Sequence, residues 1–339
     1  MKNSVNIIIP SIELSKDLLK CLSEINKLKY KNFFVSIVLD KKNKQKVKKY
    51  KFKLNILIVK KKTSKNRANM SYKRNIAVRK FKSQFIALLD SDAYPHKNWL
   101  TKGVKNLDQN KGDITGGPSV PFPNQSYSQK IAYFCKRSYF ITGYQNFRKF
   151  KAKARLCDWL ESCNIILRRN FYLKHKGMNE KKYIGEDKDF FERVRKTKKN
   201  LKVYYDPNLY IYHRDRSFFG FLLQRFCFGL SFLSLIKLDI GLKGFQSTLP
   251  FLTSLLFLTI TFLHFDLSNK LIIMTSILLF IILLIYLEIN LYVTKFKDRI
   301  YTIFGIILGN ISFALAGYVF FLGIKALIVD WIYILSRRK

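Results

Sequence analysis

Acidic, sulfur-containing and imidazole side chains are scarce in this chain of 339 residues. It has 22 Asp and Glu against 62 Lys and Arg, with four His and five Cys. The cysteines form no Cys-x-x-Cys pair and lack zinc-ligand spacing, so the sequence excludes a zinc finger. They indicate buried or incidental thiols in a reducing compartment, at Cys21, Cys135, Cys157, Cys163 and Cys227.

The amino terminus lacks a long apolar run. Its first residues, "MKNSVNIIIPS", hold only a short apolar stretch before Pro10. That stretch is too brief for the core of a signal peptide. We therefore expect the N-terminal domain to stay in the cytoplasm.

Positive charge is abundant and unevenly distributed. Of the net charge of +40, residues 249–339 carry +4 and residues 1–248 the remaining +36. Such a charge favours an anionic partner: nucleic acid, an acidic membrane surface or a phosphorylated substrate. Simple compositional bias is an equally good explanation for the lysine excess, because Asn, Ile and Phe are abundant too. No recognition module for nucleic acid is present, so we expect no nucleic-acid partner.

Long uncharged stretches occupy the C-terminal part, at Leu249–Phe265, Leu271–Leu287 and Ile300–Ile324. A helix needs about 20 predominantly apolar residues to cross the hydrocarbon core. Residues 249–339 are thus predicted to be an α-helical transmembrane region of about three spans, in a multi-pass protein of the inner or plasma membrane. The basic "KFKDR" at 295–299 favours a cytoplasmic loop, but three spans would put the basic "SRRK" tail outside. The number of passes stays open.

Between the two parts lies a segment rich in Phe and Leu. We predict that residues 216–248 form an amphipathic segment in the membrane interface, with a helix over 218–236. A core helix of the soluble domain is the alternative.

Residues 1–215 alternate strand and helix patterns. Apolar runs predict strands at 5–9, 33–39, 54–59 and 85–89, and helical spacing of apolar residues predicts helices over 14–25 and 75–81. This order is typical of an α/β layer with a largely parallel sheet. Ligands bind beyond the carboxyl ends of such strands, where Asp40, Asp90 and Asp92 lie.

Two carboxylate pairs are candidates for chemistry. Asp90-Ser91-Asp92 offers hard oxygen ligands for Mg²⁺ or Mn²⁺, although a bare Asp-x-Asp also occurs in turns. Glu186-Asp187 opens an amphipathic stretch, where carboxylates suit either a helix N-terminus or a general base.

A small basic group follows this stretch. His213 can ligate a metal, and Arg216 can neutralise a diphosphate. A structural histidine is the alternative for His213.

Seven elements of the sequence carry a resemblance. They are "VNIIIPS" at 5–11, Asp40, "KRN" at 73–75, "IALLDSDA" at 86–93, "GGP" at 116–118, "CNIILRR" at 163–169 and "GMNEKKYIGEDKDFFERV" at 177–194. In order and spacing they agree with the family 2 nucleotide-sugar glycosyltransferases, which the chain resembles over about residues 4–215. The resemblance implies a GT-A fold, Rossmann-like with a mostly parallel mixed sheet.

The resemblance also implies roles in binding a nucleotide-sugar donor. Pro10 and Ser11 would line the nucleotide pocket, and Asp40 would hydrogen-bond the base. Arg74 would contact base or ribose, and Asp90 would lie near ribose or sugar. Arg216 would contact the diphosphate.

The same resemblance implies the catalytic and metal residues. Asp187, within Glu186-Asp187, would be the base of an inverting displacement. Asp92 and His213 would hold the divalent ion, Mg²⁺ or Mn²⁺. Glu13 departs from the usual start, and "DKKNK" at 40–44 replaces the usual acidic run, which leaves the base specificity open.

The predicted function is a membrane-bound inverting transfer of sugar from a nucleoside diphosphate to a hydroxyl of a lipid-linked or polysaccharide acceptor. One alternative is a polyprenyl-phosphate glycosyltransferase that charges the lipid carrier. The alternatives outside enzymes are a basic membrane-associated binding protein and a transporter. The spans hold few ionisable groups, which argues against a transporter.

Overall fold

The computed structural model describes residues 3–41, 48–60, 68–182, 184–230, 242–263 and 266–321. The chain divides into two compact units. Unit 1 contains Met1–Phe122 and Phe147–Arg214, and unit 2 contains Pro123–Asn146 and Asp215–Lys339. The boundaries predicted at 215/216 and 248/249 stay predictions.

Unit 1 is built on two sheets. The larger has eight strands in the order β3-β2-β1-β4-β9-β6-β10-β8, and the smaller has three in the order β5-β11-β7. The strands are β1 Val5–Pro10, β2 Phe33–Leu39, β3 Lys53–Ile58, β4 Phe85–Leu89, β5 Ala93–Pro95, β6 Ile114–Gly116, β7 Ser119–Pro121, β8 Arg155–Cys157, β9 Asn164–Arg168, β10 Val203–Tyr205 and β11 Ile211–His213.

The described helices alternate with these strands and then continue into unit 2. They are α1 Lys16–Ile25, α2 Met70–Lys80, α3 Trp99–Asp108, α4 Tyr127–Arg137, α5 Tyr139–Thr142, α6 Arg169–Lys174, α7 Glu186–Thr197, α8 Phe218–Leu230, α9 Leu242–Phe262, α10 Leu267–Asn290 and α11 Phe296–Phe321. A 3-10 helix covers Gly143–Lys149.

The large sheet is mostly parallel. Strand β1 pairs in parallel with β2 and β4, whereas β9 runs antiparallel to β4 and β6. Apolar side chains on both faces of β1 are fully buried: Ile7 packs in one core with α1, and Ile8 in another with α2 and α7. Burial on both faces explains why the central strands are almost entirely apolar, with Asn6 in β1 and Ser36 in β2 as the exceptions.

Helix α2 differs from the other helices on the sheet because polar residues occupy its buried face. Asn69 caps its start by accepting a hydrogen bond from the Ser71 backbone N–H, as Asn does at N-caps. The consecutive residues Lys73, Arg74 and Asn75 are all buried. Buried polar groups need partners, so this helix must meet polar groups from elsewhere in unit 1.

Unit 2 is helical, and charged side chains join its parts. Glu288 in α10 accepts hydrogen bonds from the Ser138 hydroxyl and the Tyr139 N–H, each at 2.6 Å, and so caps α5. Arg225 in α8 donates to the Asn310 side-chain oxygen at 3.1 Å. Among the residues that the structure describes, two helices are long and apolar enough to cross a membrane by length and composition, Leu267–Asn290 and Phe296–Val319.

The structure confirms the four predicted strands within one residue at each end, and the helix over 14–25 as α1. Helix α2 begins at Met70, five residues before the predicted start. The predicted helix over 218–236 is present as α8 up to Leu230, and residues 231–236 lie outside the described residues. Residues 42–47 also lie outside the described residues.

Candidate functional site

The carboxyl ends of β1, β2 and β4 meet at one edge of the large sheet. Pro10 is the last residue of β1 and Ser11 follows it, while Asp40 follows β2 and Asp90 follows β4. The crossovers of the parallel strands leave a crevice at this edge, which is where ligands of α/β sheets bind.

Asp40 is held by two donors. Its Oδ1 accepts a hydrogen bond from the Ala68 N–H at 2.8 Å, and its Oδ2 lies 2.6 Å from Lys73 Nζ. Lys73 Nζ also donates to the Ser11 carbonyl at 2.6 Å. The ends of β1 and β2 are thereby tied to helix α2.

Arg74 connects two carboxylates that are distant in sequence. Its Nη2 lies 2.9 Å from Asp90 Oδ1, and its Nη1 lies 3.2 Å from Glu186 Oε1. Its side chain is only 2% exposed. Burial by itself would lower the pKa of Arg74, but the two carboxylates outweigh burial and raise it. The predicted contact of Arg74 with base or ribose stays a prediction beside this bridging role.

Asn75 fixes the loop that leads to the acidic pair. Its side-chain oxygen accepts from the Met178 N–H and the Tyr172 hydroxyl, and its amide donates to the Met178 carbonyl and Glu180. Gly177 has φ +62°, and a Cβ there would lie 2.4 Å from Asn75 Oδ1. Only glycine fits this turn without strain.

Glu186 and Asp187 form the first turn of α7. Asp187 Oδ1 accepts from the Lys188 N–H at 2.9 Å, and Oδ2 from the Ser162 N–H at 3.4 Å. Burial, together with the neighbouring charge of Glu186, raises the pKa of Asp187 to about 7. A carboxylate with this pKa is matched to proton transfer at neutral pH.

The small sheet brings His213 to the Asp-x-Asp segment. Strands β5 and β11 pair with His213 opposite Ala93, so His213 Nε2 lies 3.8 Å from Asp90 Oδ2 and 3.6 Å from Asp92 Oδ1. Burial by itself would lower the pKa of His213, but Asp92 and Asp90 raise it to about 9. A cation that binds here would replace this proton, because metals bind the neutral imidazole.

These donors fit a divalent cation. Two ligands of one ion, each about 2.1 Å from it, lie at most about 4.2 Å apart, and both distances to His213 Nε2 are shorter. The Cys163 thiol completes a potential donor group with Asp90 and His213. Burial and the charge of Glu161 raise its pKa, so it stays protonated and is a poor ligand. Carboxylates with an imidazole suit Mn²⁺ better than Mg²⁺, which favours oxygen ligands.

Glu161 and Lys149 form a further ion pair in unit 1, which no sequence motif indicates. Glu161 Oε1 lies 2.6 Å from Lys149 Nζ, and its Oε2 accepts from the Ser119 hydroxyl at 3.2 Å. Burial would raise the pKa of Glu161, but Lys149 and Arg148 outweigh burial and lower it to about 2. Ser162, the next residue, contacts both carboxylates of the acidic pair.

Most of the predicted site residues lie in unit 1, and several are in direct contact. The contacts join Ser11 to Asp40 through Lys73, Asp90 to Glu186 through Arg74, and His213 to both aspartates. Arg216 belongs to unit 2, and its contact with a diphosphate stays a prediction. The roles of all these residues in binding and catalysis likewise stay predictions. Sequence reasoning gave no role to Lys73 and Asn75, although both stand in the quoted "KRN".

Comparison with known proteins gives a family and a fold. Residues 6–174 match the sequence model of Glycosyl transferase family 2. A mannosyltransferase, PcManGT from Pyrobaculum calidifontis, solved with GDP-Man and Mn²⁺, has a TM-score of 0.55 at 13% identity, over 93% of this chain and 86% of that one. TarS 1-349 from S. aureus, solved with UDP, has a TM-score of 0.47 at 17% identity, over 94% and 92%. No curated protein matches the chain. The mostly parallel sheet and the family match confirm the predicted GT-A fold.

Proposed function

We propose a specific reaction and setting for this chain. The premise is that it belongs to glycosyl transferase family 2 and is a nucleotide-sugar glycosyltransferase. The enzyme transfers a sugar from a nucleoside diphosphate to a hydroxyl of a lipid-linked or polysaccharide acceptor. It does so at a membrane, with inversion at the anomeric carbon.

The observation that carries the proposal is the carboxylate of Asp187. It lies at the start of α7, and its neighbour Glu186 is linked through Arg74 to Asp90 at the end of β4. A base whose pKa is about 7 is thus the sequence neighbour of a residue that Arg74 links to the Asp-x-Asp segment. Proton acceptance and leaving-group stabilisation are the two tasks of a single displacement.

In the proposed reaction, Asp187 accepts the proton of the acceptor hydroxyl as its oxygen attacks the anomeric carbon. The bond between that carbon and the diphosphate oxygen breaks, and the nucleoside diphosphate leaves with the bonding electrons. One displacement from the opposite face gives inversion. Ser11 and Asp40 bind the nucleoside.

Asp92 and His213, with Asp90 beside them, would hold a divalent cation, Mn²⁺ or Mg²⁺. When bound, that ion neutralises negative charge on the diphosphate. Support comes from the geometry of the donors and from the mannosyltransferase of similar fold, which was solved with Mn²⁺. By the same likeness, GDP-sugars and UDP-sugars are the donors to test first.

The membrane setting is supported by helix α10. Within unit 2, large apolar side chains along it are exposed, among them Ile272 at 63%, Leu279 at 59% and Phe280 at 61%. Exposed apolar surface of this extent needs an apolar medium or a partner. We propose that α10 and α11 are membrane spans of a multi-pass protein in the inner or plasma membrane. Unit 1 then faces the cytoplasm, where nucleotide sugars are available, and its lysines favour an anionic leaflet.

Membranes from cells that express the protein test this function. They would be incubated with a panel of nucleotide sugars, with a polyprenyl-linked glycan as acceptor, with and without Mn²⁺. We expect transfer from one donor class and loss of transfer on chelation. Transfer to free polyprenyl phosphate in place of a hydroxyl would contradict the proposed acceptor, and no transfer from any donor would contradict the proposed reaction.

A further inference from the structure

Lys73 is among the least accessible charged residues that the structure describes. Its side chain is 1% exposed, although it lies on helix α2 at a sheet edge rich in polar groups. Lysine is rarely buried unless it is paired, because removing an ammonium group from water is costly. A buried lysine at a ligand-binding edge therefore needs an explanation.

The contacts of Lys73 join three segments of the chain. Its Nζ lies 2.6 Å from Asp40 Oδ2 after β2 and 2.6 Å from the Ser11 carbonyl after β1. The second oxygen of Asp40 accepts from the Ala68 N–H, just before α2 begins. Both oxygens are thus held in fixed directions. Each still has room for a further hydrogen bond, because an ionised carboxylate offers about four acceptor sites.

We propose that Lys73 is a positioning residue for the nucleoside half of the donor site. Since its side chain has almost no exposed surface, it acts through Asp40 and Ser11 and does not touch the ligand. It keeps Asp40 oriented as an acceptor for an N–H group of the nucleoside. This inference rests on the proposed function, in which Ser11 and Asp40 bind the nucleoside.

The next residue on the helix has a different task. Arg74 contacts Asp90 and Glu186, which belong to the half of the site where the sugar is transferred. Loss of Lys73 is therefore expected to weaken nucleotide binding and raise the donor KM, while kcat at saturating donor changes by less than about twofold. Loss of Arg74 is expected to lower kcat.

Calorimetric titration of the full-length protein with UDP and with GDP, in the presence of Mn²⁺, tests the proposal. The variants are Lys73→Met, Asp40→Asn and the double variant, with Lys198→Met as the control. Lys198 pairs with Asp113 before β6, at the opposite edge of the sheet. We expect Lys73→Met to weaken Kd at least tenfold and Lys198→Met to leave it unchanged. Because Lys73 acts largely through Asp40, the Lys73→Met change should have a smaller effect in the Asp40→Asn background, where only its contact with the Ser11 carbonyl remains to be lost.

Two results would overturn this inference and leave the proposed function intact. One is wild-type affinity in Lys73→Met. The other is that Lys73→Met weakens affinity as much in the Asp40→Asn background as in the wild type. If Lys73→Met does not fold, the double variant still decides, because it leaves no unpaired buried charge at either position. Wild-type affinity in the double variant would overturn the inference. Wild-type protein that binds no nucleoside diphosphate would instead refute the proposed function, and this inference with it.

Discussion

The guanidinium of Arg74 lies between the carboxylates of Asp90 and Glu186, at 2.9 Å and 3.2 Å. Asp90 ends the strand β4, and Glu186 begins the helix α7. One buried cation therefore sets the separation between the Asp-x-Asp segment and the acidic pair. In the proposed reaction these two segments serve the leaving group and the acceptor.

Replacing Arg74 by lysine tests this bridge. A lysine ammonium is a compact charge and cannot reproduce the fork of a guanidinium that reaches two carboxylates. We expect Arg74→Lys to lower kcat by about a hundredfold, because small misplacements of reacting groups have effects of that order. Arg79→Lys is the matched control, since Arg79 pairs with Glu180 and is exposed. Equal kcat values for both variants would contradict the bridging role.

The pH dependence of transfer follows from the raised pKa of Asp187. The carboxylate must be ionised to accept a proton, so kcat should rise with pH up to about 7 and then level off. Below that value we expect a tenfold fall for each pH unit. A profile that is flat between pH 5 and 8 would contradict the assignment of Asp187 as the base.

The same raised pKa affects stability. Between the ordinary pKa of a carboxyl group and about 7, the folded protein binds more protons at Asp187 than the unfolded chain does. Stability from this group therefore falls as pH rises through that window. The Tm of Asp187→Asn relative to wild type should be higher at pH 8 than at pH 4. A difference that does not change with pH would contradict the burial argument.

The Mn²⁺ concentration that the reaction needs is expected to depend on the side chains around His213. Asp92→Asn and His213→Gln should each raise the Mn²⁺ concentration for half-maximal activity at least tenfold, because each removes a proposed ligand. Cys163→Ala is the control and should leave this concentration unchanged, since burial keeps the thiol protonated. Activity of the wild type after complete chelation would contradict a metal-dependent reaction.

Membrane attachment is tested by washing membranes that contain the full-length protein. If α10 and α11 are spans, high salt should leave the protein in the pellet and detergent should release it. Attachment through surface lysines alone would be broken by salt, because such interactions are screened. Release by salt would therefore contradict the proposed spans.

The central strands could be predicted because the signal for each strand lies in its own sequence. Strands β1, β2 and β4 are buried on both faces, so their sequences are predominantly apolar up to Pro10, Asp40 and Asp90. The start of α2 was missed by five residues. Its buried face is polar at Lys73, Arg74 and Asn75, so apolar periodicity gives no signal there.

The sequence does not predict in the same way that residues distant along the chain become neighbours in the site. Strands β5 and β11 have three residues each, which is too short for any periodicity, yet their pairing brings His213 to Asp92. The pair of Glu161 with Lys149 likewise depends on tertiary contacts. Residues 123–146 belong to unit 2, although in the sequence they lie between the two parts of unit 1. No change in composition marks the boundaries of this segment.

The most direct test of the account is Asp187→Asn, measured in two assays on the same preparation. The amide cannot accept a proton, so transfer to the hydroxyl acceptor should fall by about 10²–10⁴-fold, the usual contribution of a general base. Binding of the nucleoside diphosphate should stay within about twofold of wild type, because Asp187 does not touch it in the proposed reaction. Asp189→Asn, two residues further along α7 and paired with Arg193, is the control and should keep its transfer activity. Near-wild-type transfer by Asp187→Asn would contradict the account.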